Sequence, residues 1–438
     1  MKLPREQPNG VSPMTKTTHL HPADLRGFAR LATHATAGLA DLVEAMHQTI
    51  TRPVGGGGTQ TPGRTRGITG LVYKSVRGVT RLVGGGLDAI LAQLRPTLAG
   101  RTSSPEREAV LAALNGVLGD YLVASDNPLA IPMSLRRNGR PLVLETQALA
   151  VAIPQRSGKL AVLAHGLCMN DLQWNRQGHD HGAALARDLG YTPLYLHYNS
   201  GLHTSTNGRT LAGLLEVLLK QWPHRVEELV IIAHSMGGLV TRSACHYGVL
   251  AGHDWPRQLR KLAFLGTPHH GAPLERGGNW VDVILGATPH AAPFARLGKI
   301  RSAGITDLRY GNVLDEHWKG RDRFARVRDT RHSVPLPDGV QSYAIAATTG
   351  KQPGDLRDRL LGDGLVPVDS ALGRHEDSGR SLLFPKPRQW IGYGMNHLDL
   401  LGRTEVSDQI VRWFVSAQGA PRPSIRSTRS RAKGAAGG

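Results

Sequence analysis

The chain has 438 residues, of which 53 are Lys or Arg and 34 are Asp or Glu, so its formal net charge is +19. Its two cysteines exclude a disulfide framework. No uncharged apolar run reaches the roughly 20 residues of a membrane-spanning helix, and residues 1–22 lack the apolar segment of a secretory signal. We therefore expect a cytoplasmic protein of two or three structural units, whose basic surface attracts phosphate-rich partners.

A helical region is predicted over residues 23–125, after a flexible N-terminus of residues 1–22. Apolar spacing indicates helices near 23–50, 68–94 and 105–122. The helix near 68–94 can lie on an anionic membrane surface, or it can pack on the protein body with its charges in water. Its two faces are apolar (Val72, Val76, Val79 and Val83) and basic (Lys74, Arg77 and Arg81).

Residues 126–415 show alternating strand and helix signals, which predict an α/β domain with a mostly parallel sheet. A β-hairpin is predicted at Asn138-Gly139, because this dipeptide is typical of a two-residue turn. The apolar run 160–164 then leads into His165-Gly166-Leu167. This loop would present the backbone N–H of Leu167 at the end of a central strand. A further strand is expected at 194–198, and a one-faced helix at 211–222.

The most informative motif is Ala-His-Ser-Met-Gly-Gly at residues 233–238, directly after the apolar run 229–232. A serine in a sharp strand-to-helix turn has its hydroxyl pushed out of the sheet, and close approach of strand and helix requires small residues on either side. Ala233 stands where glycine is usual, and Gly237 follows the pattern. The motif predicts that Ser235 is a nucleophile; a helix N-cap is the simpler alternative.

Beyond this motif, His269-His270 follow a predicted strand at 262–265. Residues 271–340 are a long insertion with few strand signals and an apolar stretch around Trp280. Such an insertion forms a cap over the pocket, either as a moving lid or as a rigid excursion. Residues 416–438 are basic and contain no acid, which predicts a disordered tail.

Candidates for an acid and a base follow Ser235 in the chain order Ser, Asp, His. Hydrolases whose serine lies in such a strand-to-helix turn use this order. Asp363 lies in the Gly-Asp-Gly-Leu-Val segment after a predicted strand at 343–347, and His397 lies in Met-Asn-His-Leu. Asp369 and Asp399 remain alternatives for the acid. In the expected mechanism the histidine takes the serine proton and the aspartate orients the imidazole. The developing oxyanion would be held by two backbone N–H groups, those of Leu167 and Met236.

Taken together, these motifs resemble the bacterial esterase/lipase branch of the α/β-hydrolases, including the group similar to GPI inositol-deacylases. The resemblance covers residues 130–415. It implies a central, mostly parallel sheet flanked by helices, and hydrolysis of carboxylic esters or lipid-like substrates through an acyl-enzyme, without a cofactor. It also implies that five further residues line the site, namely His165, Gly166, His234, His269 and His270.

Other functions remain open at this stage. A thioesterase, a phospholipase or a polyester depolymerase would use the same residues. A catalytically idle scaffold that binds membrane or nucleic acid is the alternative from another class, but a complete Ser-Asp-His set argues against it. The chain lacks basic motifs interleaved with aromatic residues, which argues against nucleic acid.

Two smaller features complete the sequence analysis. His179-Asp180-His181 matches no zinc spacing, so no metal is predicted. Cys168 and Cys245 are expected to be free thiols in packed surroundings. The sequence does not indicate an oligomeric state.

Overall fold

A computed structural model describes residues 105–272, 301–322, 331–352 and 362–416, together with 24, 26–27, 29–32 and 329. The chain divides into two compact units, Met1–Ser104 and Pro105–Gly438. The few described residues of the first unit are helical. Residues 1–22, the basic helix near 68–94, the insertion residues 273–300 and the tail after 416 lie outside the described residues.

The second unit is built on one described sheet of eight strands, in the order β2-β1-β4-β3-β5-β6-β7-β8. β1 pairs antiparallel with β2 and β4, and all other neighbours are parallel. This mostly parallel sheet confirms the predicted fold class. The strands are β1 Ser134–Arg137, β2 Arg140–Pro141, β3 Lys159–Ala164, β4 Thr192–His197, β5 Glu228–His234, β6 Leu259–Leu265, β7 Gln341–Thr348 and β8 Gln389–Tyr393.

Helices cover both faces of the sheet. The apolar side chains of β5 alternate between two buried clusters, with Leu229 and Ile231 in one and Val230 and Ile232 in the other. A strand buried on both faces is apolar at every position, which explains the continuous run before Ser235. The described helices are α1 Pro105–Ala124, α2 Thr146–Ala152, α3 His181–Leu189, α4 Thr204–Gln221, α5 Met236–Leu250, α6 Ala303–Asp307, α7 Val368–Ala371 and α8 Thr404–Ser416.

Most predicted elements of this unit are present in the structure. The hairpin turns at Asn138 and Gly139, whose φ angles of 51° and 72° are those a type I′ turn requires. Strand β8 was not predicted, because it is a short, half-buried edge strand with no clear alternation. Among the described residues, no helix is both long and apolar enough to cross a membrane.

Helix α1 belongs to the second unit, although the sequence analysis grouped it with the helices before it. The backbone N–H of Ile131 donates to Oδ1 of Asn115 at 2.9 Å. The Ser302 hydroxyl donates to the carbonyl of Gly116 at 2.6 Å. Periodicity identified this helix but could not indicate what its buried face contacts.

Candidate active site

Ser235 occupies a sharp turn between β5 and α5, with φ of 54° and ψ of −124°. A non-glycine residue rarely adopts such a conformation, and this strain is typical of functional turns. The Ser235 N–H donates to the carbonyl of Leu265 on β6 at 2.8 Å, which fixes the turn. A Cβ at Gly237 would lie 2.6 Å from the His165 carbonyl oxygen, so no side chain fits there. Close contact between strand and helix therefore explains why the motif has a glycine at this position.

Asp363 and His397 form a buried hydrogen-bonded pair. Oδ2 of Asp363 lies 2.6 Å from Nδ1 of His397. The other carboxylate oxygen accepts the backbone N–H groups of Leu365 and Val366 at 2.9 and 2.8 Å. Because both carboxylate oxygens are engaged, the aspartate is held in one orientation. The pairing directs Nδ1 to donate, which leaves Nε2 as the basic nitrogen.

Three strand ends bring this pair to the same edge of the sheet as Ser235. Asp363 follows β7, His397 follows β8, and Ser235 follows β5. A Cβ at Gly266, the residue after β6, would lie 3.1 Å from the His397 ring. The Ser235 hydroxyl is buried and makes no hydrogen bond within the described part of the chain. Catalytic hydrogen bonds often tighten only when substrate binds.

The loop after β3 lies directly against the serine. A Cβ at Gly166 would be 3.0 Å from the Cβ of Ser235. Cys168 has a positive φ of 58°, and its N–H donates to the Ser200 hydroxyl at 3.0 Å, which holds the loop next to Leu167. Met236 begins α5, and the first N–H groups of a helix have no intrahelical acceptor. Both predicted oxyanion donors therefore come from the backbone around Ser235.

The predicted site-lining histidines divide into two groups. His234 Nε2 donates to the backbone carbonyl of His397 at 3.1 Å, and the two rings lie 4.6 Å apart. His165 stacks on Tyr198 at 4.4 Å, and burial lowers its pKa to about 3. These two histidines therefore support the loops around the serine.

His269 and His270 have different hydrogen-bond partners. His269 Nδ1 is 3.4 Å from a guanidinium nitrogen of Arg242, and His270 Nε2 is 3.0 Å from the carbonyl of Gly373. None of the hydrogen bonds of the described residues joins them to Ser235, Asp363 or His397. They line a separate pocket beside α5. No sequence pattern indicates this pocket, because Arg242 lies inside an ordinary helix.

The alternative acids have other contacts. The Asp369 side chain is 61% exposed and pairs with Arg374 at 3.3 Å. Asp399 accepts the backbone N–H of Asn396 at 2.9 Å. Of the three carboxylates considered, Asp363 is the one hydrogen-bonded to the His397 ring.

One cluster has the residue types of a metal site. Glu108, Asp171 and His197 bring possible ligand atoms within 4.8 Å of one another. However, a guanidinium nitrogen of Arg136 lies 2.7 Å from Glu108 and 3.3 Å from Asp171. Since arginine already supplies the positive charge, we propose no metal there.

The residues of the His179-Asp180-His181 segment form hydrogen bonds within the protein, and the two cysteines are packed in the interior. Asp180 caps α3 by accepting the Ala183 N–H at 2.8 Å, and His181 Nε2 lies 2.8 Å from the Leu400 carbonyl. Cys168 and Cys245 are buried and free, and burial raises the pKa of each thiol to about 12. The expectation of free thiols in packed surroundings is thus confirmed.

The sheet order, the strained serine after the fifth strand and the Asp-His pair after the seventh and eighth strands are those of the α/β-hydrolase fold. Residues 157–327 match the family model of the PGAP1-like alpha/beta domain. The match includes Ser235 and ends before Asp363 and His397. It agrees with the expected similarity to GPI inositol-deacylases. No curated protein sequence matches the chain.

Solved structures with similarity to this chain include esterases and lipases. Lipase BlEst2 of Bacillus licheniformis, in its mature form, is 15% identical, with 60% of this chain and 93% of that chain covered and a TM-score of 0.39. Esterase Pf2001 of Pyrococcus furiosus is 12% identical over 59% and 82%, with a TM-score of 0.34. Aspergillus fumigatus lipase B is 10% identical over 87% and 82%, with a TM-score of 0.35. The fold assignment itself rests on the sheet order and the family match.

Proposed function

We propose that this protein is a serine hydrolase that cleaves carboxylic esters through an acyl-enzyme intermediate. The observation that carries the proposal is the 2.6 Å contact between Asp363 and His397 at the sheet edge where Ser235 has its strained turn. A buried histidine with its Nδ1 tied to a carboxylate is suited to accept a proton at Nε2. A structural serine would need neither the strain nor this pair.

In the proposed reaction His397 Nε2 takes the proton of the Ser235 hydroxyl while its oxygen attacks the ester carbonyl. The N–H groups of Leu167 and Met236 stabilise the oxyanion of the tetrahedral intermediate. The imidazolium then protonates the leaving alcohol, and the acyl group stays on the serine. Water, activated by His397, attacks the acyl-enzyme and releases the carboxylic acid.

The substrate is expected to be a small ester or a lipid-like ester. The same residues would hydrolyse a thioester, a phospholipid or a polyester, so these remain alternatives. We further propose that the basic segment of residues 68–94, which the sequence predicts to be helical, contributes peripheral contact with anionic membrane. Co-sedimentation with anionic vesicles at low salt tests this contact, and failure to sediment would exclude it.

The decisive experiment measures hydrolysis of p-nitrophenyl esters of increasing acyl length. Ser235→Ala should lower kcat by up to about a millionfold, because nothing else in the triad can attack the carbonyl. Ser378→Ala is the matched control, since Ser378 begins a short surface turn far along the chain from the motif. The acyl-length profile separates an esterase from a lipase.

Labelling by a fluorophosphonate probe provides an independent readout of the nucleophile. Wild type and Ser378→Ala should be labelled at Ser235, and Ser235→Ala should not. Full ester hydrolysis by folded Ser235→Ala would overturn the serine mechanism. Absence of both labelling and hydrolysis in the wild type would favour the idle scaffold.

A further inference from the structure

A strongly basic pocket lies beside α5, apart from the proposed triad. It is small and partly open to solvent. Its wall is formed largely by arginine and histidine side chains, among them Arg242, His269, His270, His317, Arg331 and Arg380. Several of these side chains are almost fully buried. Such a concentration of buried cationic and N–H-bearing groups is unusual.

The arginines of this pocket are unequally neutralised. Arg331 and Arg380 share the carboxylate of Asp329, at 2.9 and 3.0 Å. Arg242 is 4% exposed, and its recorded partners are the Val334 carbonyl at 2.5 Å and His269 at 3.4 Å. No carboxylate of the described residues forms a salt bridge with it. Burial, with a smaller contribution from Arg331, lowers the pKa of Arg242 to about 9. A buried cation without a counter-charge is costly.

Three buried N–H donors of the pocket residues have no acceptor among the described residues. His317 Nδ1 accepts the N–H groups of Val313 and Leu314, so its neutral ring carries the proton on Nε2. His269 Nδ1 accepts from Arg242, so its proton is also on Nε2. Both Nε2 atoms, and Nε of Arg242, have no hydrogen-bond partner among the described residues. The three donor atoms are buried, and the residues that carry them line one pocket. Buried donors are normally hydrogen-bonded, which favours an occupant with acceptor oxygens.

We propose that this pocket binds a small oxyanion, either inorganic phosphate or the phosphate group of a monoester. A phosphate supplies several acceptor oxygens and a negative charge, which no described carboxylate supplies to Arg242. Arginine is well suited to recognise phosphate. Water could satisfy the donors but would leave the charge unbalanced. Because the pocket is open on one side, the remainder of a phosphate monoester would project into solvent. The site does not depend on ester hydrolysis.

The test is isothermal titration of the full-length protein at pH 7 with inorganic phosphate, and separately with glycerol 3-phosphate. Arg242→Gln should weaken binding by about tenfold to a hundredfold, since it removes a charged donor. Arg257→Gln is the matched control, because Arg257 is exposed and pairs only with its neighbour Asp254 among the described salt bridges. It should bind like wild type.

A second variant keeps the proposal testable if Arg242→Gln does not fold. In His317→Asn the amide oxygen can replace Nδ1 as acceptor for Val313 and Leu314, while the distant Nε2 donor is lost. Weaker binding in this variant supports the site. Binding of phosphate alone identifies a free-anion site, and tighter binding of glycerol 3-phosphate identifies a monoester site. No measurable binding to the wild type, or equal binding in all variants, would overturn the proposal.

Discussion

Two histidine-bearing regions lie near the carboxyl edge of the same sheet, and they differ in what surrounds the imidazoles. Around His397 the partner is a carboxylate, held by two backbone N–H groups. In the pocket beside α5 the neighbours of His269 and His317 are arginines. Both regions bury their rings almost completely.

Burial alone therefore does not make a histidine a base. Burial, together with the charges of Arg331 and Arg242, lowers the pKa of His317 to about 3. Such a ring stays neutral and serves as a hydrogen-bond donor. A carboxylate beside a buried ring instead stabilises the imidazolium that forms when it accepts a proton. The three predictions below change the neighbour, the packing and the protonation of these rings.

The largest effect is expected from Asp363→Asn, which removes the carboxylate but keeps the shape. The asparagine oxygen would accept from Leu365 and Val366, so its NH₂ group would face Nδ1 of His397. That contact requires Nδ1 to accept and places the ring proton on Nε2, where the ring can no longer take a proton from serine. We expect kcat to fall by about ten-thousandfold, as measured on a p-nitrophenyl ester.

The matched control is Asp369→Asn, because this exposed carboxylate pairs with Arg374. It should keep wild-type kcat. Comparable activity loss in both variants would mean that Asp363 has no special role, and would return the acid to the other candidates.

The second prediction compares two glycines, one in each region. Gly266 has φ of 57°, and a Cβ there would lie 2.8 Å from Leu400 Cδ1 and 3.1 Å from the His397 ring. Gly266→Ala should displace the ring, and a shift of about 1 Å can cost about a hundredfold in kcat. Gly311 has φ of 74°, and its Cβ would be 2.6 Å from the Pro268 carbonyl in the pocket region.

Gly311→Ala is therefore expected to lower the melting temperature while kcat stays near wild type. Both alanines adopt a strained positive φ, and the one at position 311 also meets a backbone oxygen, so Gly311→Ala should lose at least as much stability as Gly266→Ala. If Gly311→Ala lost as much kcat as Gly266→Ala, the two regions would not be separable.

The sheet edge that carries Ser235, Asp363 and His397 was easier to predict from the sequence than the pocket, because its residues are constrained locally. Ser235 and Gly237 are constrained by local backbone geometry, and local constraints leave a motif in the chain. The central strands were predictable because strands buried on both faces must be apolar throughout. By contrast, Arg242, His317 and Arg331 come together only through folding, and no spacing between them records it.

Tertiary contacts also determine two elements that local pattern predicted incompletely, helix α1 and strand β8. Helix α1 was predicted from its apolar face, but its attachment to Gly201 and Ser302 depends on tertiary contacts. Strand β8 is held by pairing with β7, and its own residues carry little pattern. The roles of Ser235, Asp363 and His397 in catalysis stay predictions until the variants are measured.

The smallest expected effect concerns the stability of the pocket in acid. The ordinary pKa of histidine is 6.5, and that of folded His317 is lowered to about 3 by burial and by Arg331. Between these values the unfolded chain binds a proton that the folded chain does not, so the free energy of unfolding falls as pH falls. Each unit of pH costs about 1.4 kcal/mol per histidine, or about 2 kcal/mol for His317 between pH 7 and pH 5. Urea unfolding at pH 7, 6 and 5 measures this slope.

His317→Asn removes the titrating ring, so its unfolding free energy should depend less steeply on pH than that of the wild type. The other buried histidines titrate equally in both proteins, so the difference between the two slopes isolates His317. Saturating phosphate should also flatten the wild-type slope, because an anion in the pocket favours the protonated ring. Equal slopes for wild type and His317→Asn would mean that the pKa of His317 is the same in the folded and unfolded states. The arginines would then not govern its charge, and the contrast between the two regions would fail.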